Sequence, residues 1–123
     1  MQDLRVLICE DEYLLASDLA MELGKRGVTV VGIVASIADA FKALQDRTMG
    51  ANVAILDVRL LDGLAVELVA PMLARGMAVV LCTGYGSQDL PSQIAHLPAV
   101  GKPTDIDELM TILGKSSFAR QRD

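Results

Sequence analysis

The sequence predicts a doubly wound α/β fold, in which a five-stranded parallel sheet is covered by helices on both faces. Five short apolar runs alternate along the chain with stretches of helical periodicity. The chain of 123 residues suits a single domain with one core, and hydrophobic residues make up 52% of it. Strands that alternate with helices indicate a parallel sheet, because each parallel connection needs a dozen or more residues and a helix supplies them.

The first half of the chain contributes two strand–helix units. A strand is predicted at residues 5–9, and the helix that follows it ends at Gly27. A second strand is predicted at residues 28–34. Ser36 then caps a second helix, with Asp39 three residues further on as its capping-box partner.

The third strand, residues 53–57, carries the most information about function. It is an apolar run that ends abruptly at Asp57, and such runs are typical of strands buried on both faces. An unpaired charge inside the core would be very costly, so the carboxylate must emerge at the carboxyl end of the strand. Open α/β sheets bind their ligands at this edge. Asp57 is therefore the predicted centre of the functional site.

The third helix is predicted at residues 64–75, and Pro71 lies inside it. An interior proline costs about 3 kcal/mol, which predicts a kink or a late start. The fourth strand is predicted at residues 77–82, closing on Thr83.

The last part of the chain contains a weak helix and a strong one. A short, weakly formed fourth helix is predicted within residues 90–97, and a brief fifth strand at residues 99–101. Thr104 is predicted to be the N-cap of the last helix, which carries a clear apolar stripe. Residues 115–123 form a polar tail.

Composition and charge exclude several classes of protein. The net charge of -5 makes nucleic acid an unsuitable direct partner, and no apolar run is long enough to span a membrane. Residues 1–3 lead directly into a strand, which leaves no room for a secretory signal. Cys9 and Cys82 lie in apolar runs and are expected to be buried free thiols, which fits a cytoplasmic protein.

Polar side chains follow four of the five strands, and they should converge on one crevice. Glu10 and Asp11 follow the first strand, Asp57 ends the third, Thr83 follows the fourth and Lys102 follows the fifth. Three carboxylates in one place repel one another, and a hard divalent cation relieves that repulsion. Carboxylate oxygens together with waters and a phosphate suit Mg²⁺. The sequence therefore predicts Mg²⁺ as the cofactor.

Such a site is suited to phosphoryl transfer onto Asp57. Catalysis of this reaction is mainly positioning and charge neutralisation, because the transition state spreads charge over three equatorial oxygens. Mg²⁺ would meet one of these oxygens, the Lys102 ammonium a second and the Thr83 hydroxyl a third. Asp57 would be the nucleophile and would form an acyl phosphate.

These motifs, taken in order and at this spacing, resemble the receiver domain of two-component response regulators. They are Cys9–Glu12, Leu56–Asp57, Thr83 and Lys102–Pro103. The resemblance covers about residues 4–115 of a single domain spanning 1–123. It implies the flavodoxin-like receiver fold with strand order 2-1-3-4-5, and Asp57 as the acceptor of a phosphoryl group from the phosphohistidine of a sensor kinase.

The resemblance also assigns the metal ligands and one peptide bond. It implies that Asp11, Asp57 and the carbonyl of Arg59 bind Mg²⁺, and that Glu10 reaches the ion through water. It implies a cis bond between Lys102 and Pro103.

Departures from the common receiver pattern indicate a subgroup. The loop from Asp57 to Gly63 lacks the usual proline, and Ala99 stands where receivers usually carry a Tyr or Phe as a rotamer switch. The segment Cys82–Gly86 resembles instead the FATGUY subgroup of single-domain receivers, which is known in alphaproteobacteria. Its usual partners are histidine kinases of the HWE class. Tyr85 then either replaces the missing switch residue or is an ordinary loop aromatic.

The resulting interpretation is a stand-alone receiver that signals through phosphorylation-dependent protein–protein interaction in a phosphorelay. Its partners would be a sensor histidine kinase or a phosphotransfer protein, and it would catalyse only its own phosphorylation and dephosphorylation. Arg59 either pairs with Glu10 or Asp62 and modulates phosphate access, or is solvated. The alternative is a pseudo-receiver, an interaction module of the same fold that never takes phosphate. A flavodoxin-like cofactor binder ranks last, because the acidic residues 10–12 would repel a phosphate group.

Overall fold

A five-stranded parallel sheet lies at the centre of the computed structural model, which describes residues 3–84 and 90–115. Its strands occur in the order β2-β1-β3-β6-β7, and a separate two-stranded hairpin pairs β4 with β5. Without the hairpin this is the predicted order 2-1-3-4-5, so the predicted fold is confirmed. In chain order the elements are β1 (Arg5–Cys9), α1 (Tyr13–Lys25), β2 (Thr29–Val34), α2 (Ile37–Gln45), β3 (Val53–Asp57), β4 (Arg59–Leu60), β5 (Gly63–Leu64), α3 (Val66–Ala74), β6 (Ala78–Thr83), β7 (Ala99–Gly101) and α4 (Ile106–Leu113).

The central strand β3 fixes the position of the site. All five of its residues are buried, and the first four form the apolar run that predicts a strand covered on both faces. It pairs with β1 on one side and with β6 on the other, so that Ile55 lies opposite both Ile8 and Val80. Asp57 is its last residue and therefore lies at the carboxyl edge, in the middle of the sheet.

Side chains that alternate along the strands form two apolar layers. On one face the helices α2 and α3 and the segment 90–97 cover the sheet, and on the other face α1 and α4 cover it. The first layer includes Leu7, Leu56, Leu81, Leu44, Leu68, Met72 and Ile94. The second includes Ile8, Ile55, Val80, Ala16, Leu23, Leu109 and Leu113. Among the residues that the structure describes, no helix is both long and apolar enough to cross a membrane.

The helix starts agree with the sequence in one case and differ in another. Ser36 caps α2 as predicted, because its hydroxyl accepts a hydrogen bond of 3.0 Å from the backbone N–H of Asp39. Thr104 does not cap α4, so that prediction is wrong. The N-cap is Asp105, whose carboxylate accepts from the backbone N–H groups of Asp107 and Glu108. The oxygen of Thr104 lies instead 3.0 Å from the sulfur of Cys82.

Two segments differ from their predicted structure. The third helix, α3, begins at Val66 rather than at residue 64, but Pro71 still lies inside it. Residues 92–96 form turns and not the predicted short helix. The turns are closed by N–H to carbonyl bonds three residues apart, from Ile94 to Pro91 and from Leu97 to Ile94. Leu97 and Ile94 are buried, so packing on the sheet holds this segment together with the hydrogen bonds that close its turns.

The hairpin directly after Asp57 was not predicted. Arg59 pairs with Leu64, and Leu60 pairs with Gly63, which adopts a positive φ of 136° that other residues rarely tolerate. The backbone N–H of Leu61 donates to the carbonyl of Ala35, at 3.2 Å. The hairpin is therefore fastened to the connection between β2 and α2.

Candidate functional site

The acidic residues after β1 are positioned by the end of the neighbouring strand. The backbone N–H of Glu10 donates to the carbonyl of Val34, at 2.9 Å, and extends the pairing of β1 with β2. The carboxylate of Glu10 accepts a hydrogen bond of 3.0 Å from the backbone N–H of Glu12. The chain thus turns sharply after β1. Glu10 is buried and Asp11 is half-buried.

Asp57 is held from two sides. Only 6% of the residue is exposed. Its Oδ1 accepts a hydrogen bond of 3.2 Å from the backbone N–H of Arg59, the second residue after the strand. Its Oδ2 accepts a hydrogen bond of 2.6 Å from Nζ of Lys102. The carboxylate therefore has a fixed orientation at the carboxyl edge of β3.

Lys102 contacts a carboxylate that follows β1 and another at the end of β3. Its Nζ lies 2.7 Å from Oε1 of Glu10 and 2.6 Å from Oδ2 of Asp57, and 20% of its side chain is exposed. The peptide bond between Lys102 and Pro103 is cis. One ammonium group thus bridges two buried carboxylates that come from different strands.

The oxygens of three carboxylates offer a site for a hard cation. Glu10, Asp11 and Asp57 each contribute one oxygen, and these oxygens lie within 4.8 Å of one another. A donor set made only of carboxylate oxygens suits Mg²⁺, which takes oxygen ligands and completes its octahedron with waters and phosphate. The residues present therefore fit the cation that the sequence predicts.

Burial and the shared ammonium set the pKa values of this cluster. Burial raises the pKa of Asp57, and the bonds from Lys102 and Arg59 offset this only in part. Burial also raises the pKa of Asp11, and the hydrogen bond with Glu10 adds to the effect. For Glu10 burial acts in the same direction, but the bonds from Lys102 and Glu12 outweigh it and lower the pKa.

For Lys102, burial and the neighbouring carboxylates change the pKa in opposite directions. Burial favours the neutral amine, but the two carboxylates outweigh it and raise the pKa of Lys102. The lysine is therefore a permanent cation at neutral pH. It compensates charge at the site and does not act as a base.

Thr83 and Arg59 lie beside this cluster. Thr83 is the buried last residue of β6, one position beyond Cys82, which lies opposite Asp57 in the sheet. It pairs with Gly101, the residue before Lys102. Arg59 begins the hairpin, and its side chain is exposed.

Sequence reasoning missed the role of Asp62 in this region. The two carboxylate oxygens of Asp62 accept from the backbone N–H groups of Ile37 and Ala38, at 2.7 and 3.1 Å. Asp62 thereby caps α2 from the hairpin, 25 positions away in the chain. An Asp–Gly pair often indicates a turn, and it gives no indication of which distant helix the carboxylate caps.

Comparisons with solved structures place this geometry among known folds. The chain is similar to a CheY-like response regulator receiver domain protein from Methanospirillum hungatei JF-1, with a TM-score of 0.80, 23% identity and coverage of 98% of this chain and 97% of that one. It is also similar to the response regulator REC domain of PhyR from Erythrobacter litoralis, with a TM-score of 0.73, 25% identity and coverage of 90% and 87%.

A third solved structure is more similar to this chain in sequence than these two. SdrG from Sphingomonas melonis Fr1 is 32% identical, with a TM-score of 0.78 over 92% of this chain and 96% of SdrG. The chain belongs to the response regulator receiver family. No family model matches the sequence, and no curated protein does.

In this receiver the usual place of the switch aromatic is occupied by Ala99. This residue begins β7, lies opposite Leu81 and is half-buried. Tyr85, the residue predicted either to replace the switch or to be an ordinary loop aromatic, lies outside the described residues.

Proposed function

We propose that this receiver accepts a phosphoryl group on Asp57 and passes a signal through a partner protein. The proposal rests on one observation above all. The carboxylate of Asp57 lies at the carboxyl edge of the central strand, with the Lys102 ammonium at 2.6 Å and with two further carboxylates close by. This arrangement provides a nucleophile, a fixed cation and a set of oxygen ligands within one site.

In the proposed reaction an oxygen of Asp57 attacks the phosphorus of a phosphohistidine. The bond from phosphorus to the histidine nitrogen breaks and a bond to the Asp57 oxygen forms, so the products are an acyl phosphate and a free histidine. Lys102 compensates the charge of the phosphoryl oxygens, and the hydroxyl of Thr83 donates to one of them. Glu10, Asp11, Asp57 and the carbonyl of Arg59 would hold Mg²⁺, which neutralises charge on the transferred group.

Large apolar side chains at the same edge of the sheet support a protein as the phosphoryl donor. Tyr13 and Leu14 begin α1 just after the acidic residues and are 77% and 74% exposed, and Leu61 in the hairpin is 72% exposed. Neighbouring exposed apolar side chains, such as Tyr13 and Leu14, can form the kind of patch that marks an interaction surface. The partner would be a sensor histidine kinase, of the HWE class if the FATGUY subgroup is correct, or a phosphotransfer protein. We further propose that the chain acts as a single-domain cytoplasmic receiver.

The test is intact mass spectrometry after incubation with Mg²⁺ and acetyl phosphate. We expect wild type to gain one phosphoryl group, and Asp57→Asn to gain none. Asp39→Asn is the matched control, because it removes an exposed carboxylate from α2 and should be phosphorylated like wild type. Omitting Mg²⁺ or adding a chelator should abolish the gain. A phosphorylated Asp57→Asn protein would contradict the assignment of Asp57.

The alternative is a pseudo-receiver that acts in its unmodified state. The observation in its favour is Ala99, which leaves the strand before Lys102 without the usual aromatic switch. A folded wild-type protein that gains no mass and does not bind beryllofluoride in the presence of Mg²⁺ would favour this alternative. The search would then turn to partners of the unphosphorylated surface.

A further inference from the structure

A cavity of about 170 Å³ lies on the other side of Lys102, between α1 and the segment that leads from β7 into α4. Leu15, Leu19 and Ile106 form its walls, and Ile8 and Ile55 of the sheet form its floor. An apolar cavity of roughly 150 Å³ is large enough to bind benzene. The cavity can therefore hold a ligand with one ring or a short branched alkyl group.

The polar atoms at the inner end of the cavity are already partnered. Thr104 and Cys82 both line it, and the Thr104 oxygen lies 3.0 Å from the Cys82 sulfur. Glu10 and Lys102 also line it, and they form an ion pair of 2.7 Å. A ligand group that enters this end therefore meets mainly apolar surface, and it needs no polar atom there.

The outer end of the cavity carries negative charge. Asp18 and Glu22 both line it, and they lie one helical turn apart on α1. Asp18 is exposed, and 40% of the Glu22 side chain is exposed, with Lys25 at 3.5 Å as a distant and solvated partner. A cation bound at this end lies between two carboxylates, whereas an anion is repelled by both.

We propose that this cavity binds a small organic cation with an apolar body, such as an aryl or branched alkyl ammonium. The apolar body lies against Leu15, Leu19 and Ile106, and the ammonium group lies at the outer end beside Asp18 and Glu22. At the inner end Lys102 is paired with Glu10 and offers no carboxylate free to pair with the ligand, so the ammonium group is held at the outer end. The binding does not depend on phosphorylation of Asp57, and its test is separate from the test of the proposed function.

The experiment is an NMR titration of the full chain, with labelled Ile and Leu methyl groups and benzylamine as the probe. Benzyl alcohol is the matched neutral probe, and benzoate is the anionic one. We expect saturable shifts at the methyl groups of Leu15, Leu19 and Ile106. Affinity for benzyl alcohol should be about three- to tenfold weaker, because the alcohol lacks the two charge interactions. Benzoate should bind more weakly than the alcohol.

The charge interactions are tested by the double variant Asp18→Asn/Glu22→Gln. It should weaken benzylamine binding to the level of benzyl alcohol and leave benzyl alcohol binding unchanged. The control Asp39→Asn/Glu67→Gln removes two exposed carboxylates from α2 and α3, on the opposite face of the sheet, and should bind benzylamine like wild type. Equal affinity for the amine and the alcohol, an unchanged affinity in the Asp18→Asn/Glu22→Gln variant, or shifts that map elsewhere would overturn the proposal.

Discussion

The Lys102 ammonium lies 2.6 Å from Oδ2 of Asp57 and also contacts Glu10, so that one half-buried cation compensates two buried carboxylates. Removing the cation leaves both carboxylates uncompensated, which is far more costly than losing an exposed ion pair. We expect Lys102→Met to lower the free energy of unfolding by about 3 kcal/mol at pH 7, near the lower end of the cost of removing one partner of a buried ion pair. Urea unfolding without divalent cations measures this. Lys42→Met, an exposed lysine on α2, should change stability little, and an equally small effect at Lys102 would contradict the prediction.

Asp57→Asn should restore part of the stability that Lys102→Met loses. The pKa of Asp57 is raised by burial, which means that the folded protein disfavours its ionised form. The amide removes this charge and its repulsion with Glu10, so the double variant should be more stable than Lys102→Met alone. A double-mutant cycle in urea measures the coupling between the two residues. Strictly additive effects would show that the two side chains do not interact in solution.

The carboxylate of Asp62 should contribute to stability only above its lowered pKa. Hydrogen bonds from Ile37 and Ala38 lower the pKa of Asp62 from its usual value of 3.8. Stability from such a group is fully present above the unfolded-state value and is lost as the pH falls through the folded-state value. We expect Asp62→Ala to lower the melting temperature by roughly 4 °C at pH 7.

The difference between Asp62→Ala and wild type should shrink below pH 3.8. Thermal unfolding followed by circular dichroism across this pH range measures it. Asp18→Ala serves as a control, because Asp18 is an exposed acid on α1. A difference that stays constant down to acid pH would mean that the capping carboxylate is not responsible.

Residues 92–96 form turns, and one substitution tests their packing while another distinguishes turns from a helix. Ile94 is 1% exposed, so Ile94→Ala should destabilise the protein by about 2–5 kcal/mol through the cavity it leaves. Ala95 is exposed. A glycine there would cost about 1 kcal/mol in a helix but much less in a turn. We therefore expect urea unfolding to show a large effect at Ile94 and a small one at Ala95. A loss near 1 kcal/mol in Ala95→Gly would indicate a helix.

The two thiols should be inert in the folded protein. Burial raises the pKa of Cys9 to about 12, and burial also raises the pKa of Cys82. Because the thiolate is the reactive form, modification by a disulfide reagent at pH 8 should be at least ~1000-fold slower than in the unfolded chain. Absorbance of the released thiol measures the rate, and Cys9→Ser and Cys82→Ser identify which thiol reacts. Rapid modification of Cys82 would show that the cavity beside it opens widely.

The strands could be predicted because the information is local and repeated, whereas their order was implied by the resemblance to receiver domains. An apolar run such as residues 53–57 is typical of a strand buried on both faces, and a charge at its end must lie at the edge of the sheet. The same reasoning brings Glu10, Asp57 and Lys102 to one edge of the sheet. The sequence does not predict that two carboxylates share a single ammonium group, since this depends on the distances between three strands.

The features that the sequence did not predict depend on distant contacts. Thr104 and Asp105 are both competent N-cap residues, and the choice follows from the contact between Thr104 and Cys82, which lies 22 positions away in the chain. The hairpin after Asp57 has too few residues to show a strand period. It is held by contacts with the start of α2, and these are visible only in three dimensions.

The cap that Asp62 places on α2 also makes two backbone amides into reporters of the hairpin. The N–H groups of Ile37 and Ala38 bond to this carboxylate, so they can exchange with solvent deuterium when the hairpin swings away, even while the rest of α2 stays folded. Their exchange rates would therefore follow the opening of the segment beside Asp57, without any label placed at the site itself.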